Sequence, residues 1–409
     1  MRHSVVIALL GFISTTCAVA KTFDVYSEIS LQGRWYPQSP IFLEQKSSTM
    51  GAVAKTTLYV EIASKTSFTF TPLYRYDSAD SQRTHGDVRE AYFLMYGDWK
   101  DNSWELRLGQ ASVYWGVTEL YNLVDIVNQT DLVEHPRNRP KLGQPMVHLT
   151  ISGDWGIAES FLLPYHRKRT FPGPHGRLRS RFPINENASY EHNDEENHID
   201  VAFRYSNSVG PYDFGLSMFV GTNREPGFQA SEQTELTAPQ YLTLQPYYEQ
   251  IEQFGLDVQL TTSALLYKFE AIQRNGMRNL FGEEENYHAV ILGTEHTIYN
   301  LFNSSASLTV LAEWLYDGRG SRSTNVWTND LFLSGFLSFN DVAGTEFVAG
   351  LLADLDYDYR ALNLEFKRRL SDSWTMRFES IVNLSSDPAD LTYDGRKDSF
   401  VGMDFTFGF

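Results

Sequence analysis

Apolar and polar residues alternate with a period of two in short segments that recur from one end of this chain to the other. In the first segment Phe23, Val25 and Ile29 share one face, whereas Glu28 and Arg34 lie on the other. This period is that of a β-strand with one apolar and one wet face, because a helix would scatter the same residues around its axis. The sequence therefore predicts an all-β fold, with further segments at 68–76, 104–108, 199–205, 212–220, 254–260, 265–271, 308–316 and 401–409.

The connections between these segments sort by length. Short turns such as 64–66 and 154–155 alternate with connections that are mostly long, at 37–50, 78–85, 112–143, 165–196, 223–249, 275–284, 318–326 and 385–396. Short periplasmic turns that alternate with long external loops are typical of outer-membrane barrels. We therefore predict a transmembrane antiparallel up-and-down β-barrel of about 18 strands over 21–409, without a second domain.

A soluble secreted β-protein is the alternative to a membrane barrel. The chain has no run of 18 apolar residues, so no helix is expected to span a membrane. A chain that crosses a bilayer without helices must form a closed barrel, because lipid offers no partners to backbone polar groups. The aromatic content of 14%, with 23 Tyr and 27 Phe, favours the barrel, whose two interfacial girdles are rich in aromatic residues.

The first twenty residues have the pattern of a secretory signal peptide. A short apolar run ends at Ala18-Val19-Ala20, which is a small-x-small cleavage site. Removal of residues 1–20 would also remove Cys17, the one cysteine of the chain, so the mature part would have neither disulfides nor thiolate-bound metals. These features predict a secreted precursor that is located in the outer membrane of a Gram-negative bacterium.

The last strand ends on Phe409, with Phe405 and Phe407 on the same face. An aromatic C-terminal strand is similar to the assembly signal that the barrel-insertion machinery recognises, and we predict that role for Phe409. The alternative is an ordinary strand that happens to end the chain.

Charged residues fall on the polar face of many strands. Since Arg or Lys facing lipid at the midplane would cost about 2–4 kcal/mol, strand parity assigns these residues to the barrel interior. They form either a ladder of ion pairs that supports the wall or a pore lining that selects solutes by charge, and the lining is favoured. The predicted pore-lining residues are Glu28, Arg34, Lys55, Glu61, Arg75, Arg107, Arg204, Lys268, Glu270, Glu365, Lys367, Arg377 and Glu379.

The connection 112–143 breaks the period of two and is too long for a simple connection. Its mixture of apolar and acidic residues predicts a constriction loop that folds into the barrel, with apolar side chains on the inner wall and acids facing the channel. A cap outside the barrel mouth is the alternative. The residues singled out in this loop are Trp115, Asn122, Asp125, Asn128 and Asp131.

The charge balance limits the partners. Because 51 Asp+Glu exceed 34 Lys+Arg, nucleic acid is not expected as a partner. The loop 165–181 is strongly basic, which predicts contact with anionic lipopolysaccharide at the outer rim or, alternatively, capture of an acidic substrate such as a uronate polymer.

Asp354, Asp356 and Asp358 have spacing like that of a calcium loop, but Tyr359 occupies the position that requires glycine. We therefore predict no metal site there, and no cofactor.

Several motifs resemble those of large proteobacterial outer-membrane barrels of the alginate-export-like and related uncharacterised type. They are Arg89-Glu90-Ala91-Tyr92, Gly109-Gln110, Trp115-Gly116 and the segment from Asn122 to Asp131. Looser matches are Leu163-Pro164, 248–255 and 329–341; after Asn128 this chain has Gln129 where the family usually has proline. The resemblance implies passive export or uptake of a small or oligomeric polar solute.

A porin-like channel, not an enzyme, is thus the predicted function. A barrel-embedded hydrolase is less favoured because no Gly-x-Ser-x-Gly or His-Glu-x-x-His motif occurs. A structural or adhesin-like barrel without transport is the other alternative.

Overall fold

The computed structural model describes residues 22–42, 44–135, 139–231 and 243–409. The predicted signal peptide lies outside these residues. Within the described part of the chain, no helix is long and apolar enough to cross a membrane.

Eighteen antiparallel strands form one closed barrel, because β1 pairs with both β2 and β21. The strand number and the up-and-down order confirm the predicted fold class. In chain order the strands are β1 (Thr22–Trp35), β2 (Ser48–Ala63), β3 (Thr66–Asp77), β4 (His85–Trp99), β5 (Asn102–Ala111), β6 (Gln144–Gly153), β7 (Gly156–Leu163), β8 (Ser189–Tyr190), β9 (Asp200–Val209), β10 (Tyr212–Thr222), β11 (Gly227–Ala230), β12 (Leu244–Tyr248), β13 (Gln250–Thr261), β14 (Leu266–Arg278), β15 (Glu284–Ile298), β16 (Ser307–Asp317), β17 (Asn329–Ser338), β18 (Glu346–Asp354), β19 (Arg360–Arg369), β20 (Trp374–Ser385) and β21 (Phe400–Gly408).

The three short strands β8, β11 and β12 lie outside the barrel wall and form a small sheet of their own. They belong to the connections between β7 and β9 and between β10 and β13, so these two long loops are joined by backbone hydrogen bonds. Within the described residues, four 3₁₀ turns complete the regular structure, at Glu195–Asn197, Leu301–Asn303, Gly320–Arg322 and Leu391–Gly395.

The strand register keeps the predicted alternation. On β14, Lys268, Glu270 and Arg274 are buried inside the barrel, whereas Tyr267 on the alternate face is exposed. Long apolar side chains such as Phe254 and Leu292 are likewise exposed on the outside. A soluble barrel would leave this apolar outer face in water, whereas a bilayer would cover it.

The hydrophobic core lies inside the barrel. It combines residues of the connection 112–143 with apolar residues on the inner faces of strands β5, β6, β7, β9, β10 and β13 to β16. The wall therefore encloses a packed core on one side of its lumen, which fixes the position of the long connection.

Deleting Phe409 is expected to reduce barrel assembly. Its side chain is 62% exposed on the outer face, while its backbone N–H and carbonyl both hydrogen-bond to Ser27 of β1 at 3.0 and 2.9 Å. Loss of the residue therefore removes two bonds across the closing strand pair as well as the aromatic terminus. The measurement is the heat-modifiable fraction in outer-membrane preparations, with Tyr26→Ala on the facing strand as the control. Wild-type assembly of the truncated chain would contradict the predicted role.

Candidate functional site

The inner loop, defined as the connection 112–143, extends into the barrel and docks on two wall carboxylates. The backbone N–H groups of Val117 and Thr118 donate to Glu270 Oε1 on β14 at 2.7 and 3.1 Å. Those of Glu119 and Leu120 donate to the two oxygens of Glu313 on β16 at 2.8 and 2.7 Å. Hydrogen bonds to a buried charged acceptor are among the stronger ones in proteins. The tip of the loop is thereby fixed to the wall opposite its own strands β5 and β6.

Gly116 allows this close approach. Its φ is +117°, a backbone conformation that L side chains rarely adopt. A Cβ at this position would lie 2.6 Å from Glu270 Oε1 and would displace the carboxylate from its donors. Glycine is therefore required where the loop meets β14.

The apolar side of the inner loop packs against the apolar inner wall. Leu123, Val124, Ile126 and Val127 of the loop are buried in one cluster with wall residues that include Phe161, Phe219, Ile251, Ile272, Ile291 and Leu315. Full burial of a Leu, Ile or Val side chain contributes about 1.5–3 kcal/mol. The inner loop is therefore a packed part of the fold, and the wall that it covers is closed to water.

Ion pairs hold the other end of the inner loop. Asp131 is 0% exposed; its Oδ2 accepts from Arg89 on β4 at 2.6 Å and its Oδ1 from Thr170 at 2.6 Å. Burial alone would raise the pKa of Asp131, but Arg89 and the hydrogen bonds hold it below its usual value. Glu134 pairs with Arg75 on β3 through two hydrogen bonds of 2.7 and 2.6 Å.

His85, Asp131 and Glu134 come close enough together for a metal ion, with one donor atom of each within 4.8 Å of the others. The charges of the two carboxylates are already compensated by Arg89 and Arg75. This arrangement is therefore a salt-bridge network that anchors the loop.

The acids of the inner loop do not face an open channel, which corrects the sequence-based expectation. Asp125 pairs with Lys141 and accepts from the backbone N–H of Trp115 at 3.4 Å. Burial raises the pKa of Asp125, while Lys141 opposes that shift. The Asn128 amide donates to the carbonyls of Ala111 and Leu142 at 3.0 and 2.9 Å. Together with the buried Asp131, these groups satisfy polar atoms within the fold, because an unpaired charge in this core would be costly.

The two other residues singled out in the loop are also structural. Trp115 is buried, and its ring meets Phe161 edge-on at 5.5 Å between centroids. The Asn122 amide donates to the Thr118 carbonyl at 2.7 Å and lies 3.3 Å from Glu270 Oε1. Both contacts stabilise the docked loop.

The remaining part of the lumen is polar. We call the inner faces of β19, β20, β21, β1 and β2 the polar sector. Here Glu28 and Lys55 pair at 2.8 Å, and Arg377 pairs with Glu365 at 2.8 Å. These four side chains, together with Arg34 and Asp404, are only partly buried. The inner loop meets this sector at its edge, where His135 Nε2 lies 3.0 Å from Glu379 Oε1.

The other predicted pore-lining residues are found in pairs. Arg107 contacts Glu105 at 2.8 Å on the turn-side half of β5, and Glu61 accepts from Thr22 at 3.2 Å. The remaining pairs are Arg204 with Asp257 at 2.7 Å, Lys268 with Glu119 at 2.8 Å and with Glu295 at 3.1 Å, and Lys367 with Glu346 at 3.9 Å. Arg75, Lys268, Glu270 and Glu379 contact the inner loop. They therefore hold the loop in addition to lying on the inner face.

The basic loop 165–181 folds over the barrel end, and several of its charged side chains form ion pairs within the protein. Arg167 binds Asp87 at 2.7 Å, and Arg177 binds Asp398 at 2.7 Å. Arg169 donates to Gln129 of the inner loop at 3.1 Å. His175 and Arg181 are exposed but pair with Glu44 and Asp394 at 3.0 and 3.5 Å, and Arg179 donates to three backbone carbonyls. Contact of this loop with an anionic partner stays a prediction.

Sequence reasoning missed the wall residues that receive the inner loop. Ile272, Ile291 and Leu315 face the barrel interior, where the alternation along the strands predicts polar residues. For Ile272 the sequence contains a signal, because this apolar residue lies at an inward position between the inward charges Glu270 and Arg274. Glu313 and Arg89, which bind the loop, were also not singled out as site residues.

Comparisons with known proteins give only distant likenesses. No family model matches the chain, and no curated protein matches it. Among solved structures, it is similar to one described as "Asymmetric conductivity of engineered proteins", at 10% identity and a TM-score of 0.44. It is also similar to mutants of a Rhodopseudomonas blastica porin, at 10% and 9% identity and TM-scores of 0.43. Each comparison covers 95% of this chain and 100% of the other. These likenesses do not show membership of the alginate-export-like family.

Proposed function

We propose that this protein is a porin-like channel of a Gram-negative outer membrane that passes a polar or charged solute passively along the polar sector. The observation that carries the proposal is the division of the lumen. One part of the inner wall is sealed by the apolar face of the inner loop, while the polar sector keeps partly exposed charges of both signs. Charged groups in a narrow passage act strongly on solutes because little water screens them.

The outer face supports the location. Apolar side chains cover the outside of the strands, with aromatic residues such as Trp99, Trp155 and Trp374 exposed near the short-turn ends. Such an exterior fits a hydrocarbon layer with an interfacial aromatic girdle. Lipid, lipopolysaccharide and the barrel-insertion machinery are the partners that this location implies.

Single-cysteine labelling tests the passage. The described residues contain no cysteine, so Glu365→Cys in the polar sector gives a unique reactive group. We expect a charged methanethiosulfonate reagent to reduce single-channel conductance by roughly twofold, because the adduct fills the passage. The measurement is conductance in planar bilayers before and after reagent.

Ala289→Cys is the matched control. Ala289 also points inward but is buried in the core under the inner loop, so the reagent should leave its conductance unchanged. Block of the control but not of Glu365→Cys would place the passage elsewhere. A protein that folds but conducts no ions would favour a structural barrel.

A further inference from the structure

The inner loop exposes an aromatic ring and an acid to the lumen. In its described residues, 112–135 and 139–143, only Tyr114 and Glu119 are exposed. The exposed fraction is 62% for Tyr114 and 60% for the Glu119 side chain. Val113 and Trp115, the chain neighbours of Tyr114, are buried in the core, so the Tyr114 ring lies on the other side of the loop. These two side chains therefore form the surface that the packed loop presents to the open part of the lumen.

Hydrogen bonds hold the Tyr114 ring in place. Its hydroxyl donates to Asn122 Oδ1, and the Asn122 amide donates to the Thr118 carbonyl at 2.7 Å. Lys141 Nζ lies 4.7 Å from the centroid of the ring, which is within the range of a cation–π contact. The ring is thus fixed and exposed, and it already contacts one ammonium group of the protein.

Glu119 directly follows Thr118, so the same hydrogen bonds keep it near the ring. Its Oε1 lies 2.8 Å from Lys268 Nζ, and Lys268 is also 3.1 Å from Glu295. Two carboxylates therefore share one ammonium group. Among the described residues, none donates a hydrogen bond to Glu119 Oε2. A negative charge thus remains in excess here, with one carboxylate oxygen open to a cationic group.

Glu119 is not one of the acids that the sequence singled out. The side chains of Asp125 and Asp131 are only 10% and 0% exposed, because they pair with Lys141 and Arg89. At Glu119 it is the backbone N–H that binds the wall, through Glu313 at 2.8 Å. Its carboxylate is therefore left to face the lumen.

We propose that Tyr114 and Glu119 form a subsite for the ammonium group of an organic cation that passes along the polar sector. The negative face of an aromatic ring attracts a cation, and ammonium groups of ligands are recognised in this way. The carboxylate adds a charge-assisted contact on the same side of the loop. The subsite names a substrate class for the channel. It rests on the proposed function for the transit of the solute, but its binding can be measured without transport.

Choline binding to the refolded full-length barrel tests the subsite. The probe is the N-methyl proton resonance of choline, observed in octyl glucoside micelles, which contain no ammonium group. We expect saturable broadening of this resonance. The neutral alcohol 3,3-dimethylbutanol has the same shape without the charge and should show no saturable binding.

Variants of the two residues identify the place of binding. Tyr114→Leu and Glu119→Gln should each weaken choline binding by about two- to fivefold, because one removes the ring and the other the charge. Tyr114→Phe keeps the ring and should bind as the wild type does. Glu284→Gln removes an exposed acid at the start of β15 and is the matched control for the loss of charge.

Current through planar bilayers separates the subsite from the passage. Choline should reduce the K⁺ current of the wild type at the concentrations at which it binds, and less so that of Tyr114→Leu and Glu119→Gln. Absence of saturable choline binding, equal binding by wild type and both variants, or equal binding of the neutral alcohol would overturn the subsite. Binding that depends on both residues in a barrel that carries no current would overturn the passage and leave the subsite standing.

Discussion

Replacing Glu270 by alanine is expected to undock the tip of the inner loop and to raise single-channel conductance severalfold. Glu270 is 0% exposed and accepts the N–H groups of Val117 and Thr118 as well as the Thr118 hydroxyl at 2.8 Å. Its removal leaves these donors without their acceptor, and each buried donor left unsatisfied costs about 1–3 kcal/mol. For the two backbone donors together, this loss corresponds to roughly one to four orders of magnitude in the docking equilibrium.

Glu61→Ala is the control for this variant. Glu61 also points inward but accepts from Thr22 near the short-turn end, away from the loop. Planar-bilayer recordings of both variants, with circular dichroism to show that the barrel is retained, give the comparison. If Glu270→Ala folds and conducts like the wild type and like Glu61→Ala, Glu270 does not hold the loop across the passage.

Replacing Arg89 by alanine is expected to destabilise the barrel by about 3–5 kcal/mol at neutral pH, and this loss should shrink as the pH falls. In the wild type the pKa of Asp131 lies below its usual value. A carboxyl with a lowered folded-state pKa contributes stability that is present above its unfolded pKa of about 3.9 and is lost as pH falls through the folded value. Without Arg89 the effect of burial dominates and the folded-state pKa of Asp131 rises above its unfolded value. The variant is then least stable at neutral pH, where the buried carboxylate is charged and uncompensated, and it regains stability as the pH falls and the carboxyl takes up a proton.

Urea unfolding between pH 3 and pH 7, followed by tryptophan fluorescence, measures both effects. Arg107→Ala is the control, because Arg107 pairs with the partly exposed Glu105 and such pairs contribute about 0–1 kcal/mol. An Arg89→Ala protein with wild-type stability at pH 7 and the same pH dependence of stability would show that the Asp131 pair does not anchor the loop.

The barrel could be predicted because its wall follows a local rule. Each strand alternates outward residues such as Phe254 with inward residues such as Gln253, and the connections at one end of the barrel are mostly longer than those at the other end. These signals require no knowledge of distant contacts. Counting the strands that these signals predict gave the number 18.

The inner loop was predictable in its position but not in its contacts. Its length and apolar residues indicated that it folds inward, whereas the pairing of Asp131 with Arg89 and of Asp125 with Lys141 depends on its path. Strand parity identifies an inward charge but not its partner, so Glu270 was assigned to the lining although it binds loop backbone.

The strand pair that closes the barrel has a consequence for the order of folding. The Ser30 and Thr406 hydroxyls hydrogen-bond across it at 2.7 Å, although 376 residues separate them in the chain. Neighbouring hairpins can form from local contacts, but this pair can form only after the whole wall has been made. Since the core needs an enclosed lumen, the inner loop has no complete surface on which to pack until then. We therefore expect slow, cooperative acquisition of core protection in hydrogen exchange, with hairpin amides protected first and those of Val124 and Val127 last.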